Sequence, residues 1–164
     1  MNRIAVNSIK ALPQSIINLT KKFAKNVLAQ LGRDKWDLSV LLCDDDTIRA
    51  LNSQYRGKKS ATDVLSFSQG FFVQAQDERN KLPGSLPRGR FLAGDIVISL
   101  DTLQKNARRF KIEDDEELRR LLIHGILHLD GMDHRSNSKD EPMLQLQEKI
   151  LTKLKGERIM GSIE

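Results

Sequence analysis

The chain has 164 residues, of which 27 are Lys or Arg and 22 are Asp or Glu, so its formal net charge at pH 7 is +5. A single cysteine excludes an internal disulfide framework and suits a reducing cytosol. The sequence also lacks the run of about 20 apolar residues that a membrane-spanning helix needs. We therefore expect a cytoplasmic protein with no membrane partner. The modest positive charge favours a polyanionic partner only weakly.

Hydrophobic periodicity and turn residues predict four strands and five helices, in the order strand, helix, strand, helix, two strands, three helices. The predicted strands cover residues 3–8, 37–43, 62–68 and 91–99. Four of the predicted helices cover residues 13–30, 101–110, 114–130 and 140–155. The other one carries Ile48, Leu51 and Tyr55, with its N-cap and acidic first turn at residues 44–46. Residues 69–90 show no clear period, and a connection of that length is typical of a functional or poorly ordered segment.

This order of elements predicts an α+β (mixed α/β) fold. We expect one domain over residues 1–164, with a mixed, mostly parallel four-stranded sheet covered by about five helices. The last residues, 156–164, contain two glycines and no apolar period, so we expect a frayed tail there.

All three histidines of the chain lie in one eleven-residue window, at positions 124, 128 and 134. His124 and His128 are four residues apart, so they lie one turn above the other on the predicted helix. Gly131 is suited to end that helix and let the chain deliver His134. Three imidazoles around Zn²⁺ leave a fourth position for water, the open geometry of a catalytic site.

A chance cluster of histidines and a purely structural zinc site are both weaker hypotheses. An isolated histidine on a helix is usually solvated or packed, but a third one just past a helix-ending glycine is hard to obtain by chance. A structural zinc site prefers four protein ligands and usually includes cysteine. Cys43 is the one candidate for a fourth ligand, but it lies in a predicted strand and is expected to pack in the core.

The spacing H-x3-H-x2-G-x2-H is that of the metzincin proteases, which carry glutamate as a general base directly after the first histidine. Gly125 stands at that position here and cannot transfer a proton. This difference disfavours a peptidase. A bound metal would still polarise a phosphoryl oxygen or lower the pKa of water.

Three segments of the chain resemble the YbeY family of bacterial endoribonucleases and rRNA maturation factors. Residues 124–134 match its H-G-x-L-H-L-x-G-x-D-H motif, residues 52–67 resemble its N-x-x-Y-R-x-K…T-D-V-L-S-F block, and residues 94–99 resemble its G-D-I-x-I-S strand. The resemblance implies a zinc-type metal, or another divalent ion, on His124, His128 and His134. It also implies single-stranded RNA as substrate, with small-subunit ribosomal RNA, the ribosome and ribosome-associated proteins as partners.

The resemblance also implies a cleft in which Arg56 meets the RNA. A guanidinium group grips a phosphate with two parallel hydrogen bonds, so we expect Arg56 to orient the scissile phosphate or stabilise its charge. Lys58 and Lys59 follow as candidate contacts to the RNA backbone. Without the resemblance, a solvated basic turn accounts for these three residues equally well. Asp133 could accept a hydrogen bond from a neighbouring imidazole or cap the turn after Gly131.

The sequence predicts a metal-dependent, single-strand-specific endoribonuclease acting in small-subunit rRNA maturation and ribosome quality control. The alternatives are a non-catalytic ribosome assembly factor with a structural metal and, third, a metallopeptidase. Two routes of cleavage stay open, because no carboxylate stands out as a general base. Attack by water on phosphorus leaves a 5′-phosphate and a 3′-OH, whereas attack by the ribose 2′-OH leaves a 2′,3′-cyclic phosphate.

Overall fold

A computed structural model describes residues 1–72 and 89–161. In this part of the chain four strands and five helices follow one another in the predicted order. Their bounds are β1 Arg3–Ser8, α1 Gln14–Gln30, β2 Trp36–Cys43, α2 Asp45–Arg56, β3 Val64–Phe72, β4 Phe91–Ser99, α3 Leu100–Phe110, α4 Asp114–Leu129 and α5 Pro142–Lys153. Most of the predicted long connection, residues 73–88, lies outside the described residues.

The four described strands form one mixed sheet in the order β1-β2-β4-β3. β1 pairs with β2 and β2 pairs with β4 in parallel, while β3 runs antiparallel to β4. The predicted α+β fold with a mostly parallel four-stranded sheet is therefore confirmed. β3 and β4 are consecutive in the chain, which is the arrangement that allows antiparallel pairing without a crossover helix.

The two faces of the sheet carry two separate hydrophobic cores, because successive residues of a strand point to opposite faces. Val40, Leu42, Ile96 and Ile98 belong to a large core shared with α1, α3, α4 and α5. The alternate positions Cys43, Leu65 and Val97 pack with Ile48 of α2 in a small second core. α4, which carries two of the histidines, and α2, which ends at Arg56, thus contribute to different cores on opposite faces of the sheet.

Gly94 allows the backbones of β3 and β4 to approach each other closely. Its φ of +135° is rarely adopted by residues with a side chain, and a Cβ atom there would lie 2.0 Å from the carbonyl oxygen of Phe67. The pairing registers of β2 with β4 and of β3 with β4 both shift close to this glycine. Such an irregularity bends the strands locally. The glycine of the G-D-I-V-I-S segment is therefore a requirement of the backbone.

The chain after α5 corrects one expectation. Residues 156–161 are not frayed, because Ile159 is buried in the large core and the backbone N–H groups of Ile159 and Met160 each donate to Asp115 Oδ1 at 2.7 Å. Asp115 lies in the acidic first turn of α4, where carboxylates also suit the helix dipole. Residues 162–164 lie outside the described part. None of the helices described is long and apolar enough to cross a membrane.

Candidate metal and RNA site

His124 and His128 lie one turn apart on α4, and the turn after the helix brings His134 to them. α4 ends at Leu129, and Gly131 takes a φ of +91°, which reverses the chain as expected. One ring nitrogen from each histidine lies within 4.8 Å of the others. The Nε2 atoms of His124 and His128 are 3.1 Å apart. Among the described residues, this is the group of histidine, cysteine and carboxylate side chains placed to hold an ion.

The other ring nitrogen of each histidine already has a partner. His124 Nδ1 lies 2.7 Å from Gln147 Oε1, His128 Nδ1 lies 3.0 Å from the carbonyl oxygen of Met132, and His134 Nδ1 lies 3.0 Å from that of Ser136. Since these oxygens only accept, each Nδ1 carries the hydrogen. In neutral rings the Nε2 lone pairs then face one another. Two such lone pairs 3.1 Å apart repel each other unless a cation lies between them, so the donor set fits a bound metal ion.

Burial keeps two of these histidines neutral, the form that binds a metal. Burial lowers the pKa of His124 below the ordinary value of an imidazole, and the hydrogen bond to Gln147 opposes that shift only in part. Burial also lowers the pKa of His128, against the contact with the carbonyl group of Met132. Both rings therefore offer lone pairs near pH 7 without first having to lose a proton.

A cavity of about 480 Å³ opens beside the histidines. Its lining combines the end of α2, one face of β3, the two histidines of α4 and the turn after that helix. The lining residues are Arg56, Val64, Ser66, Ser68, His124, His128, Gly131, Met132 and Asp133. The cavity therefore brings the predicted phosphate-binding arginine together with two of the predicted metal ligands.

Arg56 is exposed in this cavity and anchored at one point. One Nη2 hydrogen is donated to the carbonyl oxygen of Ser66 at 3.0 Å, and the guanidinium carbon lies 6.0 Å from the centre of the Phe67 ring. A guanidinium group has five N–H donors. Arg56 can thus be held in place by β3 and still present a pair of N–H groups to a phosphate.

The two ends of α2 set the position of Arg56. The Asp44 side chain accepts from the backbone N–H of Thr47 and caps the first turn, while Gly57 ends the helix with a φ of +66°. Asp45 accepts hydrogen bonds from Ser99, Thr102 and Lys105, which tie α2 to α3. Burial alone would raise the pKa of Asp45, but these hydrogen bonds outweigh it and hold the pKa well below the ordinary value.

The remaining candidates lie as follows. Lys58 and Lys59 are exposed on the turn after α2 and are not part of the cavity lining. Asp133 lines the cavity, and its carboxylate accepts from the backbone N–H of His134 at 2.8 Å. Cys43 is fully buried in the small core, where burial raises the pKa of its thiol to about 11. A protonated thiol in the core is not a metal ligand.

Gly125 faces the sheet and not the cavity. A Cβ atom at this position would lie 2.8 Å from Cγ2 of Ile96 in β4. The residue that would be the general base in a metzincin is thus the residue that lets α4 pack closely on the sheet. The metzincin-like spacing is shared, but this position is used for packing.

Sequence reasoning did not single out Gln147, Ser66 or Ser68. The signal for Gln147 was present, because it is a polar residue in the buried stripe of α5 that includes Met143, Ile150 and Leu151. Ser66 and Ser68 alternate on β3 and face the same cavity, and that role becomes apparent only when α4 lies beside this strand.

Comparison with known proteins supports the fold first. The solution structure of a Thermotoga maritima protein superposes with a TM-score of 0.62 and 26% sequence identity, covering 94% of this chain and 91% of the other. Two proteins called Endoribonuclease YbeY are similar over nearly their full length. The one from Treponema denticola is 45% identical, covering 96% of this chain and 97% of its own. The one from Persephonella marina is 40% identical, covering 94% of both chains.

The family model described as Endoribonuclease YbeY matches residues 3–155. The chain therefore belongs to the YbeY family, and the resemblance seen in its three sequence motifs is confirmed. The matched range includes all three histidines and Arg56.

Proposed function

We propose that this protein is a metal-dependent endoribonuclease that cleaves single-stranded RNA. The observation that carries the proposal is the convergence of one nitrogen from each of His124, His128 and His134, with every Nδ1 turned outward to an oxygen. The shared family with proteins called Endoribonuclease YbeY supports the reaction class. The whole chain, 1–164, is assigned to this one activity.

Zn²⁺ is the proposed ion, since three neutral imidazoles are a typical open zinc site, although another divalent metal could take its place. When bound, the metal supplies Lewis acidity toward a phosphoryl oxygen and lowers the pKa of water. His124 and His128 hold it from a rigid, buried helix, and His134 completes the set from the following turn. Because all three histidines of the chain are proposed metal ligands, none is left for proton transfer.

Arg56 is proposed to bind and orient the scissile phosphate in the cavity. Its guanidinium group is anchored on Ser66 and retains free N–H groups for phosphate oxygens. The hydroxyl groups of Ser66 and Ser68 line the same space. Ser66 Oγ donates to the carbonyl oxygen of Gly125 at 3.4 Å, so Ser68 is the one proposed to donate to the RNA backbone. Lys58 and Lys59 are exposed on the turn after α2, where they are proposed to contact the RNA backbone outside the cavity. Asp133 is proposed to help orient the histidine turn.

Small-subunit ribosomal RNA is the proposed substrate, with the ribosome and its associated proteins as partners in maturation and quality control. The family, the charge of +5 and the basic turn after α2 support an RNA partner. Single-stranded RNA is the proposed form of the substrate, because its unstacked bases and its backbone are accessible to side chains that line a cavity. The cytoplasm is the proposed location, because ribosomes and a reducing environment for Cys43 are both found there.

The decisive experiment measures bound metal and cleavage of single-stranded RNA for the wild type and His128→Ala. We expect the variant to lose both the metal and the cutting, and we expect duplex RNA and casein to remain intact with either protein. Added Zn²⁺ should restore cutting to chelator-treated wild type. The chemical ends of the products then distinguish attack by water from attack by the 2′-OH.

RNA cutting by the metal-free variant would overturn the proposal. Intact ribosome binding by an inactive, metal-free variant, together with a wild type that cuts no RNA, would favour an assembly factor with a structural metal. Casein digestion would favour a peptidase.

A further inference from the structure

Gln147 is a buried polar residue that contacts a candidate metal ligand. It lies on α5 and is 6% exposed, and its Oε1 atom is 2.7 Å from Nδ1 of His124. A glutamine side chain that is placed among Met143, Ile150 and Leu151 costs free energy unless it is hydrogen-bonded. An apolar residue would fit the same stripe without that cost. The polar side chain at this position therefore calls for a role beyond packing.

The contact to His124 differs from those of the other two histidines. His128 and His134 are held by backbone carbonyl groups of the segment that follows α4. Any side chain at positions 132 and 136 preserves those acceptors. His124 is held by a side chain from another helix, 23 residues further along the chain. Its ring orientation thus depends on which residue α5 presents and on where α5 lies.

An ion pair links α4 to α5 close to this contact. Arg120, one turn before His124, donates from Nε to Glu148 Oε1 at 2.8 Å and from Nη2 to Glu148 Oε2 at 3.4 Å. Glu148 is the neighbour of Gln147. Paired contacts between a guanidinium and a carboxylate restrict both distance and angle. Together with the packing of Met143 and Ile150 in the large core, the ion pair restricts the position from which the Gln147 amide reaches the imidazole.

We propose that Gln147 is the positioning residue of the metal site. Its carbonyl oxygen holds His124 as the Nδ1–H tautomer, which directs the Nε2 lone pair to the point shared with His128 and His134. The proposal rests on the metal-binding part of the proposed function. It also accounts for the use of a neutral acceptor. A carboxylate would bind the ring N–H more strongly and make the imidazole a more basic ligand, but it would add a negative charge next to the metal site of a protein that is proposed to bind RNA.

The test compares Zn²⁺ affinity, measured by competition with a chromophoric chelator, among full-length variants at two positions of α5. Gln147→Met keeps the length of the side chain and removes the acceptor, so we expect Zn²⁺ affinity to fall about 10–100-fold. Gln147→Glu retains an acceptor, so we expect an affinity equal to or tighter than that of the wild type, with a higher KM for RNA. Gln145 is exposed on the same helix, and Gln145→Met and Gln145→Glu should both bind Zn²⁺ as the wild type does.

Far-UV circular dichroism and the unfolding midpoint in EDTA separate a positioning role from a folding defect. If Gln147→Met does not fold, the comparison of Gln147→Glu with Gln145→Glu still decides the question. Wild-type affinity in Gln147→Met would overturn the proposal. A Zn²⁺ affinity of Gln147→Glu that is at least tenfold weaker than that of Gln145→Glu would also overturn it. A carboxylate can only accept a hydrogen bond, so such a loss would mean that the Gln147 amide acts as a donor.

The outcome is independent of RNA cutting. A wild type that binds Zn²⁺, follows this pattern and cuts no RNA would retain Gln147 as a positioning residue and refute the nuclease. A wild type without measurable Zn²⁺ affinity would overturn the positioning role itself.

Discussion

Arg56 ends α2 with one N–H group donated to the carbonyl oxygen of Ser66 and the rest of its guanidinium exposed in the cavity beside His124 and His128. At the scale of single residues, the site therefore depends on geometry as much as on charge. A lysine at this position would retain the positive charge. It would lack the planar fork that can contact the strand and a phosphate at once.

Arg56→Lys should lower cleavage of single-stranded RNA about 10–100-fold, or roughly 1.4–2.7 kcal/mol of transition-state stabilisation, without changing metal content. The measurement is kcat/KM on a defined oligonucleotide, with metal analysis alongside. Arg49→Lys is the matched control, because Arg49 lies on the same helix, pairs with Asp46 and is outside the cavity lining. Equal activity of the two variants would remove the role of Arg56 as a phosphate clamp.

α4 shows how one element serves both packing and chemistry. Its apolar residues face the large core, and its two histidines face the cavity. Gly125 follows His124 directly in the sequence, and its lack of a side chain lets the helix pack close to β4. The histidines can lie opposite Ser66 of β3 only if α4 stays close to the sheet.

Gly125→Ala should destabilise the protein by about 1–3 kcal/mol, because the added methyl group overlaps the Ile96 side chain in a packed core. The gain in helix propensity, about 1 kcal/mol, offsets part of that cost. Urea unfolding gives the free energy. Gly156→Ala is the control, since a Cβ atom there meets nothing within 4 Å. The combination with Ile96→Ala should cost less than the sum of the two single variants, and strict additivity would contradict the proposed overlap.

On the scale of the whole molecule, the candidate ligands come from one helix and its following turn, while the cores are built from apolar residues of the sheet and helices. The fold therefore does not depend on a metal to bring distant segments together. This is the arrangement expected of a catalytic site. A structural zinc site usually supplies folding free energy to a domain whose hydrophobic core is too small to fold without the metal.

Removal of the metal should leave the fold intact and lower the unfolding midpoint. At a free Zn²⁺ concentration about 100 times Kd, binding contributes about 2.7 kcal/mol. For a chain of this length that corresponds to about 5–10 °C. Thermal unfolding followed by circular dichroism with and without EDTA measures the shift, and His128→Ala should show none. Loss of helical signal in EDTA at room temperature would show instead that the metal is structural.

Local patterns in the sequence were enough to predict the strands and helices, the class of the fold, the family and the three candidate ligands. These depend on local rules: periodicity within an element, a four-residue spacing on a helix, and a glycine that ends it. The tertiary structure alone decided which distant residues meet, such as Gln147 with His124, Arg56 with Ser66, and Ile159 with the core. Those contacts depend on how helices pack and how strands pair, and local sequence patterns do not encode that geometry. The expectation of a frayed end was wrong for residues 156–161 for this reason, because the Asp115 carboxylate that accepts from Ile159 and Met160 lies about 45 residues earlier in the chain.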